Sequence, residues 1–166
     1  FLRNRDEEAE TPVEVSATLN SLGMLSTRVG LFSEAIEYYD SALSIQKELG
    51  CDEIYVATSQ VLKGAVEFQM GNWRTSLKIL VEAHAVLVDE LGGEHQTVAA
   101  TLYQIGVVQN ALCEVDESIS ALEEAKSIQI DVLGRDHPAT LRTRRQIGDM
   151  FAVYEAELDS SLAEFN

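Results

Sequence analysis

A Leu-Gly pair returns along this chain as Leu49-Gly50, Leu91-Gly92 and Leu133-Gly134, at steps of 42 residues. A second marker keeps the register: Gly23, Gly64, Gly106 and Gly148 each sit in an apolar stretch, at steps of 41, 42 and 42. Two independent markers in one register define a repeat unit of about 42 residues, and units of that size bury their apolar faces by stacking.

The third unit shows what one repeat contains. Leu102, Ile105, Val108 and Leu112 fall at helical spacing, and Ile119, Leu122, Ala125, Ile128 and Val132 resume the pattern after a short break. Each repeat is therefore two helices, and the shortness of the break, near Gly30, Gly71 and Cys113, predicts that they run antiparallel. A glycine inside a helix costs about 1 kcal/mol relative to alanine, so four at one repeat position predict close helix approach. Ala35, Ser76 and Ser118, followed seven residues later by Ala42, Ala83 and Ala125, supply small residues for that approach. Gly50, Gly92 and Gly134 suit left-handed helix ends, and Pro138 suits the first turn of a helix.

Residues 1–12 read as a charged leader or the end of a preceding repeat, and 13–166 as the repeat domain. That domain holds three complete pairs, at about 15–55, 56–97 and 98–139, and a partial fourth at 140–166. A longer turn is expected before a cut-off last helix, because Leu158, Ser161, Leu162 and Phe165 are displaced by one from the repeat register. The chain reads as a piece of a longer protein. With 46% hydrophobic residues and 2 prolines it has the composition of a folded chain, and it contains no run near the roughly 18 apolar residues of a bilayer span. Cys51 and Cys113 occupy unlike repeat positions, which indicates no disulfide framework and a reducing, cytoplasmic setting.

The leucine, glycine and alanine offsets resemble those of the tetratricopeptide repeat, and Leu133-Gly134-Arg135-Asp136-His137-Pro138 with Leu91-Gly92-Gly93-Glu94-His95-Gln96 is similar to the longer repeat of kinesin light chains. The resemblance implies an all-α, right-handed superhelix, an α-solenoid of antiparallel helix pairs. It also implies a protein-interaction module, an adaptor or scaffold binding a short peptide segment of a partner along a concave groove lined by first helices. Lys63 departs from the pattern, standing where Leu22, Ile105 and Ile147 stand, so its stem must lie along the core or Leu62 must replace it.

Carried over by register, the implied groove is Asn20, Met24 and Arg28, then Val61, Ala65 and Phe68, then Tyr103, Val107 and Asn110, then Arg142 and Arg145. Val61, Phe68, Tyr103 and Val107 suit either packing between repeats or the apolar floor of a peptide site, with Asn20 and Asn110 placed to bond a peptide backbone. Kinesin light chains hold acidic flanks of cargo peptides with basic residues; here Arg28, Arg142 and Arg145 are the candidates. The lysine and asparagine clamp of chaperone-binding relatives is absent, which disfavours a chaperone tail.

The net charge of -16 does not mark the groove, because residues 16–29, 57–70 and 99–112 carry only Arg28, Lys63 and Glu67 as charges. Acids such as Glu37, Asp40, Asp116 and Glu124 fall on second helices, as a solvated outer face or a surface for a basic partner. Nucleic acid is excluded as a partner on charge, and membrane insertion on hydropathy. His95 and His137 share one repeat position, which argues for a structural role over a metal or catalytic one. Acidic Glu114 and Asp116 near Cys113 argue against an activated thiol. No cofactor, metal or enzymatic activity is expected. The competing reading is a structural or assembly subunit, a homodimer formed through an open C-terminal end exposing Ile147, Met150, Leu158, Leu162 and Phe165.

Overall fold

The computed structural model describes residues 12–164, so the expected leader lies, except for Pro12, outside the described residues, as does Phe165. The described residues form seven helices and no strand: α1 (Pro12–Arg28), α2 (Phe32–Glu48), α3 (Glu53–Gln69), α4 (Trp73–Leu91), α5 (Gln96–Ala111), α6 (Val115–Leu133) and α7 (Pro138–Glu164). The chain divides into two compact units, Phe1–Val86 and Leu87–Asn166, with the division inside α4.

In unit 1, α1 is closed by Gly30 at φ +83° while the Leu31 N–H donates to the Ser26 carbonyl at 2.8 Å. α3 ends the same way, with Gly71 at φ +83° and the Asn72 N–H on the Glu67 carbonyl at 2.9 Å. These caps satisfy carbonyls that a helix end leaves open, and the next helix begins after three residues. Unit 2 builds the same cap on a non-glycine residue: Cys113 takes φ 63° and the Glu114 N–H reaches the Gln109 carbonyl at 2.9 Å. A side chain in the left-handed region carries a steric cost of about 1–2 kcal/mol that glycine lacks. Cys113→Gly is therefore expected to raise stability by about 1 kcal/mol, seen as a higher urea midpoint. An unchanged or lower midpoint would mean that the exposed thiol side chain makes compensating contacts.

The mid-helix glycines do the expected work at three of their four positions. A Cβ on Gly23 would lie 2.7 Å from the Tyr39 ring, on Gly64 3.0 Å from Leu80, and on Gly106 2.7 Å from Leu122. Tyr39, Leu80 and Leu122 occupy one repeat position and are buried, so each pair is a large second-helix side chain pressed onto a bare stretch of first-helix backbone. Ser76 and Ser118 tighten the contact: each hydroxyl, fully buried, donates to the carbonyl of that same glycine, Gly64 or Gly106, at 2.7 Å. In the first pair Ala35 has no hydroxyl, and the Gly23 carbonyl accepts from Thr27 Oγ1 at 2.7 Å instead. Burial pushes the Tyr39 phenol above its usual value near 10, partly offset by its hydrogen bond with Thr27.

Gly148 departs from the pattern, with nothing within 4 Å of where its Cβ would be. The expected turn before a last helix is not formed, and α7 runs unbroken from Pro138 to Glu164, so no second helix packs on that glycine. Ile147 and Met150, expected to be exposed at the C-terminal end, are buried against Leu122. The side chains of Leu158 and Leu162 lie outside the described residues.

The two histidines prove to be helix caps. His95 Nδ1 accepts from the Thr97 N–H at 3.1 Å, and His137 Nδ1 from the Ala139 N–H at 3.2 Å. Asp52 caps α3 at the same position, through the Ile54 N–H at 2.9 Å. Gly50, Gly92 and Gly134 take φ of +59°, +81° and +95°, as their place after each second helix requires. Lys63 resolves its awkward register by reaching Asp40 on α2 at 2.6 Å, while Leu62 packs against the cluster of Ala35, Tyr39 and Val66.

Candidate functional site

The residues assigned to a groove divide between the two units. In unit 1, Met24 and Arg28 stand exposed on α1. Val61, Ala65 and Phe68, spaced to share one face of α3, are half-buried. Asn20 is turned inward: its amide donates to Ser59 Oγ at 2.8 Å, and Ser59 also accepts from Gln46 Nε2 at 3.0 Å. One of its two amide N–H donors is thus committed to a contact between α1 and α3, and its Oδ1 is buried without a partner. A cleft of about 400 Å³ in unit 1 is lined by Asp40, Lys47, Gln60 and Lys63 among others, none of them an assigned groove residue.

Unit 2 brings assigned residues together. The Tyr103 ring on α5 packs at the edge of the cluster of Leu122, Ile147 and Met150. The Arg142 guanidinium on α7 lies 5.7 Å from its ring centroid, within cation–π range. Tyr103 and Arg142 border a cleft of about 170 Å³ that also takes in Ala100, Gln104, Gln129 and Thr143. Gln104 Oε1 is buried without a hydrogen-bond partner, an acceptor at the edge of the cleft. Gln129 is occupied, accepting from Thr143 Oγ1 at 2.7 Å. Val107 and Asn110 follow Tyr103 on α5 at four and seven residues, both half-buried. Arg145 lies outside the cleft, loosely paired with Asp149 at 3.6 Å while both side chains stay largely in solvent.

Chemically, the cleft offers an aromatic ring, an exposed cation lying beside it and a buried acceptor without a partner. It suits an apolar side chain next to an acidic group. Sequence reasoning missed Gln104, Gln129 and Thr143. A glutamine recurring as Gln46 and Gln129 within apolar second-helix registers, with Ser59 or Thr143 thirteen or fourteen residues on, was the available signal. Glu34, Glu37, Asp40, Asp116, Glu117 and Glu124 are all exposed, consistent with a solvated second-helix face. Among the described residues, no group of three or more His, Cys, Asp or Glu side chains could hold a metal ion, and no helix is long and apolar enough to cross a membrane.

Two family models match the chain, both described as tetratricopeptide repeat, at residues 15–50 and 97–165. No curated protein matches it. Among solved structures, the chain is similar to the kinesin light chain nearly identical TPR-like repeats of Podosopora anserina, at 22% identity and TM-score 0.75 over 83% of this chain and 65% of that one. It is similar to BtubC (BKLC) from P. vanneervenii at 25% identity and TM-score 0.78, over 96% of this chain and 63% of that one. The chain thus spans just under two thirds of either. A third likeness, at 14% identity and TM-score 0.62 over 84% of this chain and 95% of that one, is to the first TPR of Spaghetti (RPAP3) bound to the HSP90 peptide SRMEEVD.

Proposed function

Since the chain is a tetratricopeptide-repeat protein with repeats like those of kinesin light chains, we propose that it is a non-enzymatic interaction module that takes a short segment of a partner protein on its first-helix faces. The observation that carries this reading is the Tyr103–Arg142 cleft, where an aromatic floor and a positioned guanidinium meet without being closed over. An extended segment would set an apolar side chain on Tyr103, an acidic one on Arg142 and a backbone N–H on Gln104. Val107 and Asn110 would continue the contact along α5. Met24, Arg28, Val61, Ala65 and Phe68 offer a second set of contacts in unit 1, and Arg145 a peripheral cation. One or two buried anchors, at about 1.5–3 kcal/mol each before ordering costs, suit micromolar and reversible binding. The fold likeness to a repeat bound to an HSP90 peptide supports peptide binding as a mode, while the missing clamp residues argue against that ligand here.

The test is selection of a displayed random peptide library on the wild-type protein and on Tyr103→Ala and Arg142→Glu variants. Peptides pairing an apolar residue with a nearby acid should be enriched on the wild type. Their affinity should fall at least tenfold on Tyr103→Ala, and Arg142→Glu should lose the preference for acid. Equal enrichment on all three proteins would exclude this cleft as the recognition surface.

A further inference from the structure

The cleft of about 400 Å³ in unit 1 is polar where the repeat pattern asks for apolar residues. Asp40 and Lys47 line it from α2, and Gln60 and Lys63 from α3. One repeat on, the same four positions read Val81, Val88, Leu102 and Ile105. The two lysines are the sharper departure. Lys47 shares its position with Val88 and Ile130, and Lys63 shares its own with Leu22, Ile105 and Ile147, all apolar. They are two of the four lysines in the chain, and both line this one cleft. A charge at a packing position breaks a local rule, and such breaks concentrate where a function needs them. Asp40 answers only one of the two, holding Lys63 Nζ at 2.6 Å; among the described residues Lys47 pairs with no acid.

We propose that this cleft binds a glutamate side chain presented by a partner protein, its carboxylate held between Lys47 and Lys63. A lysine carries three N–H donors and Asp40 takes one of those on Lys63, so two remain. Lys47 supplies a second cation, and the half-buried Gln60 amide a neutral donor. Leu43 and Ile79, also in the lining, give the methylenes of a glutamate an apolar surface. The charges favour one carboxylate over a phosphate. Lys47 and Lys63 against Asp40 leave a single positive charge, which one carboxylate balances, whereas a phosphate dianion would stand beside Asp40 with charge in excess. Glu48, which accepts from Ser44 Oγ at 3.3 Å at the edge of the cleft, adds to that repulsion. No residue assigned to the first-helix groove lines this cleft, so it stands independently of the Tyr103–Arg142 site.

Amide NMR spectra of the isotope-labelled protein test this residue by residue. A blocked pentapeptide with one central glutamate should shift the signals of Lys47, Gln60 and Lys63 saturably, with a dissociation constant of roughly a millimolar, the scale of a single charged anchor. Its glutamine counterpart should not. Lys47→Val and Lys63→Ile should each weaken binding about tenfold. Both put in a residue that the same repeat position carries elsewhere, so the fold should hold, and helical circular dichroism checks that it does. Added salt should weaken binding as well. Inorganic phosphate, the second probe, should bind more weakly than the glutamate peptide and gain on Asp40→Asn. Shifts at Tyr103 and Arg142 report the first-helix cleft separately, so failure of one site is told from failure of the other. The absence of a saturable shift at the two lysines, or a shift that survives Lys63→Ile, overturns the inference. Phosphate binding tighter than the glutamate peptide on the wild type overturns it too, and gives the cleft to a small dianion.

Discussion

Gly106→Ala is expected to destabilise the protein by about 2 kcal/mol, whereas Gly148→Ala, at the same repeat position, is expected to stabilise it by about 0.5–1 kcal/mol. At Gly106 the new methyl would sit 2.7 Å from Leu122 Cγ and 3.1 Å from the Ser118 carbonyl oxygen. A side-chain tip could swing aside, but a γ-carbon and a backbone oxygen can yield only by parting the two helices. Parting them would stretch the 2.7 Å hydrogen bond that Ser118 makes to the Gly106 carbonyl. The gain in helix propensity, about 1 kcal/mol, is too small to offset that. At Gly148 nothing stands within 4 Å, so only the propensity gain remains. A double-mutant cycle isolates the cause. Leu122→Ala alone should cost about 2–5 kcal/mol as a buried cavity, and combined with Gly106→Ala it should cost clearly less than the two separately. Urea midpoints followed by helical circular dichroism read all four proteins. Additive losses would mean that the glycine is held by something other than Leu122.

Much of this was legible because repetition repeats the evidence. A single glycine in a helix is ambiguous, but four in register, with alanine or serine and a large residue following at fixed offsets, specify a helix pair and its contact point. His95 and His137 were legible for the same reason: a shared position argued for structure, and the cap at each confirms it. Register failed where the local pattern continued while its context changed. Gly148 carries the repeat's glycine, but whether a helix returns to cover it depends on the chain reversing after Met150, and α7 continues instead. Leu25 has the residue of a buried position and is 56% exposed, with no second helix over it among the described residues. At the candidate site, Tyr103 and Arg142, which the groove register names from different helices, lie with the guanidinium 5.7 Å from the ring centroid. The register did not foresee the hydrogen bond that turns Asn20 toward α3, because an amide on a first helix can as easily bond the next first helix as a ligand. That choice was set by Ser59, a residue the register marks only as small.

The buried glutamines give the second large effect. Thr143→Val is expected to cost about 1–3 kcal/mol, since it removes the hydroxyl that donates to Gln129 Oε1 at 2.7 Å while leaving that oxygen enclosed. Valine nearly matches threonine in shape, so lost packing contributes little and the loss reads mainly as an acceptor stripped of its donor. Gln129→Leu in the same chain should recover most of it, because with both polar groups gone no buried acceptor remains unpaired. The fold already contains the precedent: Leu87 stands at the repeat position of Gln46 and Gln129 and is fully buried there. Gln129→Leu alone should cost less than Thr143→Val alone, since the freed Thr143 hydroxyl still reaches the Ala139 carbonyl at 3.1 Å. The asymmetry assigns the pair its role. A hydrogen bond between α6 and α7 that can be replaced by leucine without loss is not what makes the repeats adhere; it fixes the register in which they do so, since a slipped helix would leave a buried oxygen without a donor. If the double variant is as unstable as Thr143→Val, the pair contributes net stability and that account of its role fails.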